Sequence, residues 1–316
     1  MVIVTLRFLP EGRLLGTPEN HAYCSSIEGL THAMDEKFVL EGTALFCDAD
    51  RTLYVKLGDF TGAIPREDAA IGIADGKTRE IAILSRVGKP VSFLVTDVVL
   101  QRGGAPLITL SRRGAQEAAL AHLLKTLTPG DVLPATVTHL EAFGTFVDVG
   151  CGVPSMIGIE NSSVSRLPHP AQRFCVGQEI FAVVLGIEPE KGRILLSHKE
   201  LLGTWLENVS RFSAGMTVPG YVRGVKDYGL FVELAPNLSG LAEVRPGYKE
   251  GDRVSVYIKS ILPEQSKIKL LLIDHLPPCE EPPSFRYFIR GGHLDAWHYP
   301  PPSCKKPGNE TIFGTP

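Results

Sequence analysis

Two stretches of the chain place aromatic residues around a glycine in nearly the same order. Residues 142–149 read AFGTFVDV and residues 227–234 read DYGLFVEL, so both contain aromatic-Gly-x-Phe-Val followed by an acidic residue. An exposed aromatic ring can stack on the face of a nucleobase, which contributes roughly 1–3 kcal/mol per base and tolerates any base sequence. Because the motif occurs twice, we expect each copy to belong to one folding unit of an internal repeat.

The spacing of the rings raises a geometric question. Phe143 and Phe146 are three positions apart and would face opposite sides of a regular strand. A bulge or kink at Gly144 would bring both rings to one face, because glycine permits that backbone. The same reasoning applies to Tyr228 and Phe231. The alternative interpretation is that the second Phe of each pair belongs to a hydrophobic core and that the glycine only fits a tight bend.

The motifs lie among short β-rich runs that are separated by turn signals. The predicted strands before the first motif are 39–46, 52–57, 91–100 and 107–110. Those around the first motif are 132–140, 144–149, 156–159, 179–187 and 193–197, and those around the second are 217–226, 229–234, 240–244, 252–262 and 267–273. Residues 116–126 and 201–212 are predicted to be linking helices.

The two repeats differ by one gap. Phe143 and Tyr228 are 85 positions apart, whereas Arg193 and Lys267, which open the fifth strands, are 74 apart. The later unit therefore lacks 11 residues, all between its third and fourth strands. A surface loop absorbs such a deletion, and the strand registers on both sides are kept.

Five short strands in about 70 residues, interrupted between the third and fourth, are typical of the five-stranded antiparallel Greek-key barrel called the OB-fold. We predict an all-β chain of tandem OB-fold barrels joined by short helices, with a Pro-rich C-terminal tail. The predicted segments are an irregular lead-in at 1–34, a divergent first barrel with its linking helix at 35–125, a second barrel at 128–203, a linker helix and third barrel at 204–274, and the tail at 275–316.

The first and last segments depart from the repeat. In the first unit, Arg51-Thr52 replaces the aromatic-Gly pair, so this unit is expected to have lost its rings. The Pro-rich tail is expected to be extended and poorly packed. Its aromatic stretches at 285–289 and 297–299 are expected either to dock on the body or to bind a ligand.

The composition is that of a soluble globular protein, with 44% hydrophobic and 21% charged residues and a net charge of −3. No signal peptide or membrane-spanning run is expected. The six cysteines form no Cys-x-x-Cys pair, which favours free thiols in a cytoplasmic protein. No nucleophile, dinucleotide or metal motif is present, so we expect neither catalysis nor a cofactor, metal or small-molecule substrate.

Several ordered motifs carry a resemblance to a known family. Residues 143–147, Gly177-Gln178 and the stretch 191–199 (KGRILLSHK) resemble the RNA-binding repeat of bacterial ribosomal protein S1. The next unit matches through residues 228–232, 239–242 and 267–270, and the linker 201–205 (LLGTW) is similar to the helix between repeats. The first unit is similar to the divergent first repeat, which serves ribosome docking in long members of the family.

The resemblance implies binding of single-stranded RNA, namely mRNA, without strong sequence preference at the small ribosomal subunit. The RNA-binding residues that it and the ring and charge pattern indicate are Phe143, Phe146, Arg193, Lys199, Tyr228, Phe231, Lys226, Lys267 and Lys269. The alternative for Arg193 and Lys267 is that they are solvated turn residues. The family's strand-three histidine is replaced by Gly158 in one unit and by Glu243 in the next, where a carboxylate would repel phosphate.

The balance of charged residues is compatible with functions other than RNA binding on the ribosome. Residues 128–203 contain 5 Lys/Arg and 8 Asp/Glu, whereas residues 215–274 contain 8 and 7. Because neither unit is strongly basic, binding should depend on stacking as much as on counterion release, with a shallow salt slope. The alternatives are a non-catalytic protein-docking scaffold and an RNA-binding regulator that is not stably on the ribosome.

Overall fold

The computed structural model describes residues 8–278, 284–304 and 308–314. In this part of the chain the strands form three closed five-stranded barrels, which confirms the predicted all-β class and the tandem barrels. The chain divides into two compact units. The first comprises residues 1–126, 134–136 and 148–154, and the second comprises residues 127–133, 137–147 and 155–316. Within the described ranges, no helix is long and apolar enough to cross a membrane.

The first barrel follows two short helices and ends in a longer one. The elements in chain order are α1 (Pro18–Cys24), α2 (Ile27–Asp35), β1 (Leu40–Cys47), β2 (Leu53–Leu57), β3 (Phe60–Ile64), a 3₁₀ turn (Arg66–Asp68), α3 (Ile81–Leu84), β4 (Pro90–Val99), β5 (Leu107–Ser111) and α4 (Arg112–Thr126). The strand order is β1-β2-β3-β5-β4, in which β3 and β5 are parallel. Alternation of buried and exposed residues along β2 places Leu53, Val55 and Leu57 in the core.

Within the described residues 8–34, the predicted irregular character is wrong, because α1 and most of α2 lie there. Each of these short helices begins at an N-cap side chain that accepts a backbone hydrogen bond. The Thr17 hydroxyl accepts a hydrogen bond from the Asn20 N–H, and the Ser26 hydroxyl accepts one from the Gly29 N–H. Helices of 7 and 9 residues offer too few turns for a clear apolar period.

The second and third barrels repeat one topology. The second contains β6 (Val132–Glu141), β7 (Gly144–Asp148), β8 (Pro154–Gly158), β9 (Glu179–Glu188) and β10 (Arg193–Ser197), with 3₁₀ turns at Ile159–Asn161, Pro170–Gln172 and Pro189–Lys191. The third contains β11 (Thr217–Lys226), β12 (Gly229–Ala235), β13 (Leu238–Ala242), β14 (Arg253–Leu262) and β15 (Lys267–His275), with a 3₁₀ turn at Pro263–Gln265. In each, the third and fifth strands run parallel.

The linker between these barrels is shorter than the predicted helix 201–212. It consists of a 3₁₀ turn at Lys199–Leu202 and α5 (Trp205–Val209). Thr204 and Glu207 form a capping box, which fixes the start of α5. The Trp205 side chain is buried in the core of the third barrel.

The described part of the tail is packed, so the prediction of a poorly packed segment is wrong there. Two short strands, β16 (Ala296–His298) and β17 (Glu310–Ile312), pair with each other. Trp297 and Phe313 are buried with Val183 and Leu201 in one apolar cluster. Residues 279–283, 305–307 and 315–316 of the predicted tail lie outside the described residues. Burial of two large rings explains why a Pro-rich segment can be ordered.

A buried carboxylate joins the third barrel to the segment between β8 and β9. Glu233 of β12 lies 2.5 Å from Arg173 and 2.7 Å from Arg223, and its side chain is 3% exposed. The same guanidinium groups also donate to Ser163 Oγ at 2.9 Å and to Gln172 Oε1 at 2.5 Å. Two buried cations around one anion are tolerated because neutral oxygens satisfy further N–H groups.

Glu233→Gln is expected to lower the free energy of unfolding of the second unit by about 3–5 kcal/mol, because two buried guanidinium groups lose their anion. Urea unfolding followed by fluorescence measures this, since Trp205 and Trp297 are the chain's 2 tryptophans and both lie in that unit. The control is Glu243→Gln, whose side chain is 80% exposed and pairs with Lys259. It should change the value by less than about 1 kcal/mol. Equal losses in the two variants would contradict the assignment.

A buried histidine makes the second unit sensitive to acid. Burial, with a smaller contribution from the Arg173 charge, lowers the pKa of His198 to about 3. Its Nε2 lies 2.9 Å from the Tyr287 hydroxyl of the tail. The folded unit therefore keeps a neutral imidazole at a pH where the unfolded chain, with a pKa of about 6.5, binds a proton.

The contribution of His198 is present above pH ~6.5 and is lost as the pH falls from there towards 3, by up to about 1.4 kcal/mol per pH unit. Urea unfolding at pH 7.5, 6.0 and 5.0 is expected to show this loss in the wild type. His198→Gln, which cannot take up a proton, should show a shallower dependence. Parallel pH profiles for the two proteins would refute the prediction.

Candidate nucleic-acid interface

The structure brings the two rings of each motif together. Phe143 lies in the two-residue turn between β6 and β7, and its ring centroid is 6.0 Å from that of Phe146, at an interplanar angle of 86°. Tyr228 lies in the turn between β11 and β12, 6.2 Å from Phe231 and at 88°. Both pairs have the edge-to-face geometry that aromatic quadrupoles favour. The two motifs therefore build the same local arrangement.

The predicted bulge at the glycine is wrong, because the turn itself presents the first ring. In the third barrel Lys226 pairs with Gly229, so the turn consists of the two residues between them, and the register shift lies earlier, between Val222 and Gly224. Gly144 and its counterpart serve a close approach of strands. A Cβ on Gly144 would lie 2.7 Å from the Ile157 oxygen, and one on Gly229 would lie 2.7 Å from the Ala242 oxygen.

Exposure separates the two members of each pair. Phe143 is 58% exposed and Tyr228 is 69% exposed, whereas Phe146 and Phe231 are half-buried. The half-buried rings alternate with buried neighbours along their strands, so they belong to the outer face of the barrel rather than to its core. A large exposed ring supported at its edge by a second ring is a suitable platform for a base.

One cation is aligned with the rings of the third barrel. Phe231 pairs with Leu241 across β12 and β13, and Leu241 pairs with Lys269 across β13 and β15. Directly paired residues share a face, and neighbouring strands are about 4.8 Å apart. The backbone of Lys269 therefore lies about 10 Å from that of Phe231 on the same outer row. The Lys269 side chain is exposed.

The other predicted cations take different positions. Lys267 precedes Lys269 by two residues, which places it about 7 Å further along β15, away from the turn that carries Tyr228. Lys226 is exposed beside that turn. Lys199 donates to the Glu160 carbonyl at 3.1 Å and to Asn161 Oδ1 at 3.2 Å, so its ammonium is held by a neighbouring loop.

Arg193 is not brought close to the turn of its own barrel. The Phe143 carbonyl accepts a hydrogen bond from the Ile159 N–H, so this turn lies at the end of β8. Because β8 and β10 are parallel, that end is level with Ser197, and Arg193 opens β10 at the other end. Four residues of strand separate the two levels by about 13 Å. A strand of RNA would have to run along the barrel to reach both groups.

His139 is a ring residue that the sequence analysis did not assign to the site. Its imidazole centroid lies 6.2 Å from that of Phe146, and its Nε2 lies 2.7 Å from Glu141. The histidine thus comes from the first strand of the barrel, whereas Gly158 occupies the strand-three position, where a Cβ would lie 2.4 Å from Glu160 Oε1. In the sequence, the signal for this third ring is that His139 lies shortly before the motif at residues 142–149.

The expectation that the first barrel has lost its rings is wrong. Phe46 of β1 and Tyr54 of β2 are register partners, and their rings are stacked at 4.5 Å and 18°. The same cross-strand position in the third barrel is held by Gly224, which pairs with Phe231. Tyr54 aligns with Phe146 in the sequence, but its partner lies eight residues upstream, in the preceding strand and outside the motif.

The replacement of the strand-three histidine by Glu243 is less unfavourable than its charge suggests. The carboxylate is 80% exposed, and its Oε1 lies 3.2 Å from Lys259 Nζ. A largely exposed and paired carboxylate repels a nearby phosphate only weakly. In the described part of the chain, no group of three His, Cys, Asp or Glu residues is placed to hold a metal ion.

Part of this chain is similar in sequence to known RNA-binding domains and ribosomal proteins. Residues 126–199 match the family model described as S1 RNA binding domain. Small ribosomal subunit protein bS1 of Leuconostoc lactis is 36% identical over 179 residues, which cover 52% of this chain and 42% of that protein. The bS1 protein of Staphylococcus haemolyticus (strain JCSC1435) is 33% identical over 186 residues, 54% of this chain and 47% of that one.

A third bS1 protein, from Neisseria meningitidis serogroup B, is 33% identical over 162 residues, 50% of this chain and 28% of that protein. The matched regions thus span less than half the length of each of these relatives. The similarity includes the barrel in which Phe143 and Phe146 form their ring pair. Residues 126–199 thus match an S1 RNA-binding domain, and the chain is similar to bS1 proteins over 50–54% of its length.

Proposed function

We propose that this protein binds single-stranded RNA by stacking bases on the ring pairs of its second and third barrels. The observation that carries the proposal is the duplicated edge-to-face pair with an outer ring that is more than half exposed. Single-stranded RNA offers unstacked bases that aromatic side chains can bind in any sequence. The proposed phosphate contacts lie at different distances from the ring pairs. They are Lys226, Lys267, Lys269, Lys199 and Arg193.

We further propose that the RNA is mRNA and that the protein acts in translation at the small ribosomal subunit, in the cytoplasm. The support is the similarity to relatives named small ribosomal subunit protein bS1. The first barrel is the proposed ribosome-docking part. The proposed segments are 1–34, 35–125, 128–203, 204–274 and 275–316. We propose no catalytic role for any of them, and no binding of a cofactor, a small-molecule substrate or a membrane.

A protein-docking role is the second candidate, and one observation favours it for the first barrel. Ile81, Leu84 and Val87 are 64%, 40% and 41% exposed around α3. Neighbouring exposed apolar side chains of this kind are typical of protein contacts. This role is compatible with RNA binding by the other two barrels, and a regulator that acts off the ribosome would use the same ring pairs.

Phe143→Ala combined with Tyr228→Ala is expected to weaken binding of a single-stranded oligoribonucleotide at least about tenfold, because each ring contributes roughly 1–3 kcal/mol of stacking. Both side chains are more than half exposed, so the variant should stay folded. Titration of a fluorescent oligouridylate measures the affinity, and the unfolding midpoint checks the fold. The control is Ile312→Ala, which removes an apolar side chain that is 69% exposed in β17. Unchanged affinity in the folded double variant would refute stacking.

Lys269→Ala is expected to reduce the dependence of affinity on salt, because Lys269 lies on the outer row of Phe231. Loss of one phosphate contact should make the slope of log K against log salt shallower by about 0.7. Titrations at several potassium chloride concentrations measure the slope. Lys37→Ala, which removes an exposed cation of the first unit, should leave it unchanged. Identical slopes for Lys269→Ala and the wild type would contradict the contact.

A further inference from the structure

A cleft of about 1140 Å³ opens in the second unit on the face that carries the third-barrel ring pair. One wall is formed by the third barrel, including Lys226, Tyr228 and Phe231. A second wall is the stretch 159–168, which follows β8 of the second barrel, and Tyr299 and Asn309 of the tail also line the cleft. This stretch lies in the interval between the third and fourth strands, where the second barrel has 11 more residues than the third. The third barrel's ring surface is therefore bordered by a neighbouring repeat.

The second wall is fixed to the third barrel by polar contacts. The Val164 N–H donates to Asn237 Oδ1 at 3.1 Å, and Ser165 Oγ lies 2.8 Å from Ser239 Oγ. A few residues later, Arg173 forms its buried ion pair with Glu233. These contacts hold the cleft open before any ligand arrives, which reduces the conformational cost of binding.

The lining combines the groups that a polyanion with flat bases requires. Tyr228 and Phe231 supply rings, while Arg166 and Lys226 are exposed cations that form no ion pair with any residue in the described part of the chain. Glu160 and Glu250 also line the cleft, so positive potential is confined to part of the rim. The volume exceeds the range of about 300–1,000 Å³ that is usual for one small molecule. A segment of several linked nucleotides suits this space better than a single nucleotide.

We propose that the cleft is a composite RNA site, in which the third barrel stacks bases and Arg166 of the second barrel contacts the phosphate backbone. The inference rests on the proposed RNA-binding function and extends it. Arg166 acts with Tyr228 and Phe231 of the next repeat, not with Phe143 of its own. The second barrel thus takes part in two sites, one on its own ring pair and one across the cleft.

A double-mutant cycle tests this assignment in the full chain. The variants are Arg166→Ala, Tyr228→Ala, Phe143→Ala and the two doubles that combine Arg166→Ala with each ring substitution. A fluorescent 12-nucleotide oligouridylate is titrated at two potassium chloride concentrations. Arg102→Ala, the same substitution at an exposed arginine of the first unit, is the control and should match the wild type.

Arg166→Ala is expected to weaken binding about three- to tenfold and to make the salt slope shallower by about 0.7, as for one lost phosphate contact. The effect should persist with Phe143→Ala and fall below about twofold with Tyr228→Ala, because contacts in one site are coupled. An unchanged affinity for Arg166→Ala, or an effect that disappears with Phe143→Ala and not with Tyr228→Ala, would overturn the composite site alone. A wild-type protein that binds no oligouridylate would overturn the proposed function as well.

Discussion

The arrangement of the second unit depends on a carboxylate that is removed from water. Glu233 is enclosed by Arg173 and Arg223, which come from different repeats. Burying three charges is costly, and the cost is offset only if their geometry and remaining hydrogen bonds are maintained together. The contact therefore fixes the position of the two repeats as well as joining them, because a small displacement of either repeat would leave a buried charge unpaired. The position of the cleft wall at 159–168 follows from this constraint.

The sequence allowed the barrels to be predicted because alternating β-branched residues and a single gap in the repeat are local signals. The cluster of rings was predictable only in part. Phe143 and Phe146 share a motif, whereas the contacts of His139 and Phe46 depend on which residue lies opposite them in a hairpin. Register is set by turn geometry and by burial of one face, and a pattern along one strand does not contain it. The burial of Trp297 could not be predicted, because the prolines around it are typical of an extended and poorly packed segment.

The three barrels share one cross-strand position with three different occupants. Phe46 covers one face of Tyr54 in the first barrel, His139 lies near Phe146 in the second, and Gly224 leaves the position beside Phe231 without a side chain in the third. Ring area at this position is thus greatest in the first barrel and absent in the third. The third barrel instead borders the cleft, so an open position and a neighbouring wall occur in the same repeat.

The packed tail has a consequence for synthesis of the chain. The N–H of Phe181 in β9 donates to the hydroxyl of Tyr287, 106 positions later, and Glu200 accepts a hydrogen bond from Thr311, 111 positions later. Elongation at about 5–20 residues per second delivers these partners roughly 5–20 s after the strand that they cover. During that interval Val183 and Leu201 lack their apolar cover. The nascent second barrel therefore exposes apolar side chains to solvent that the complete chain covers.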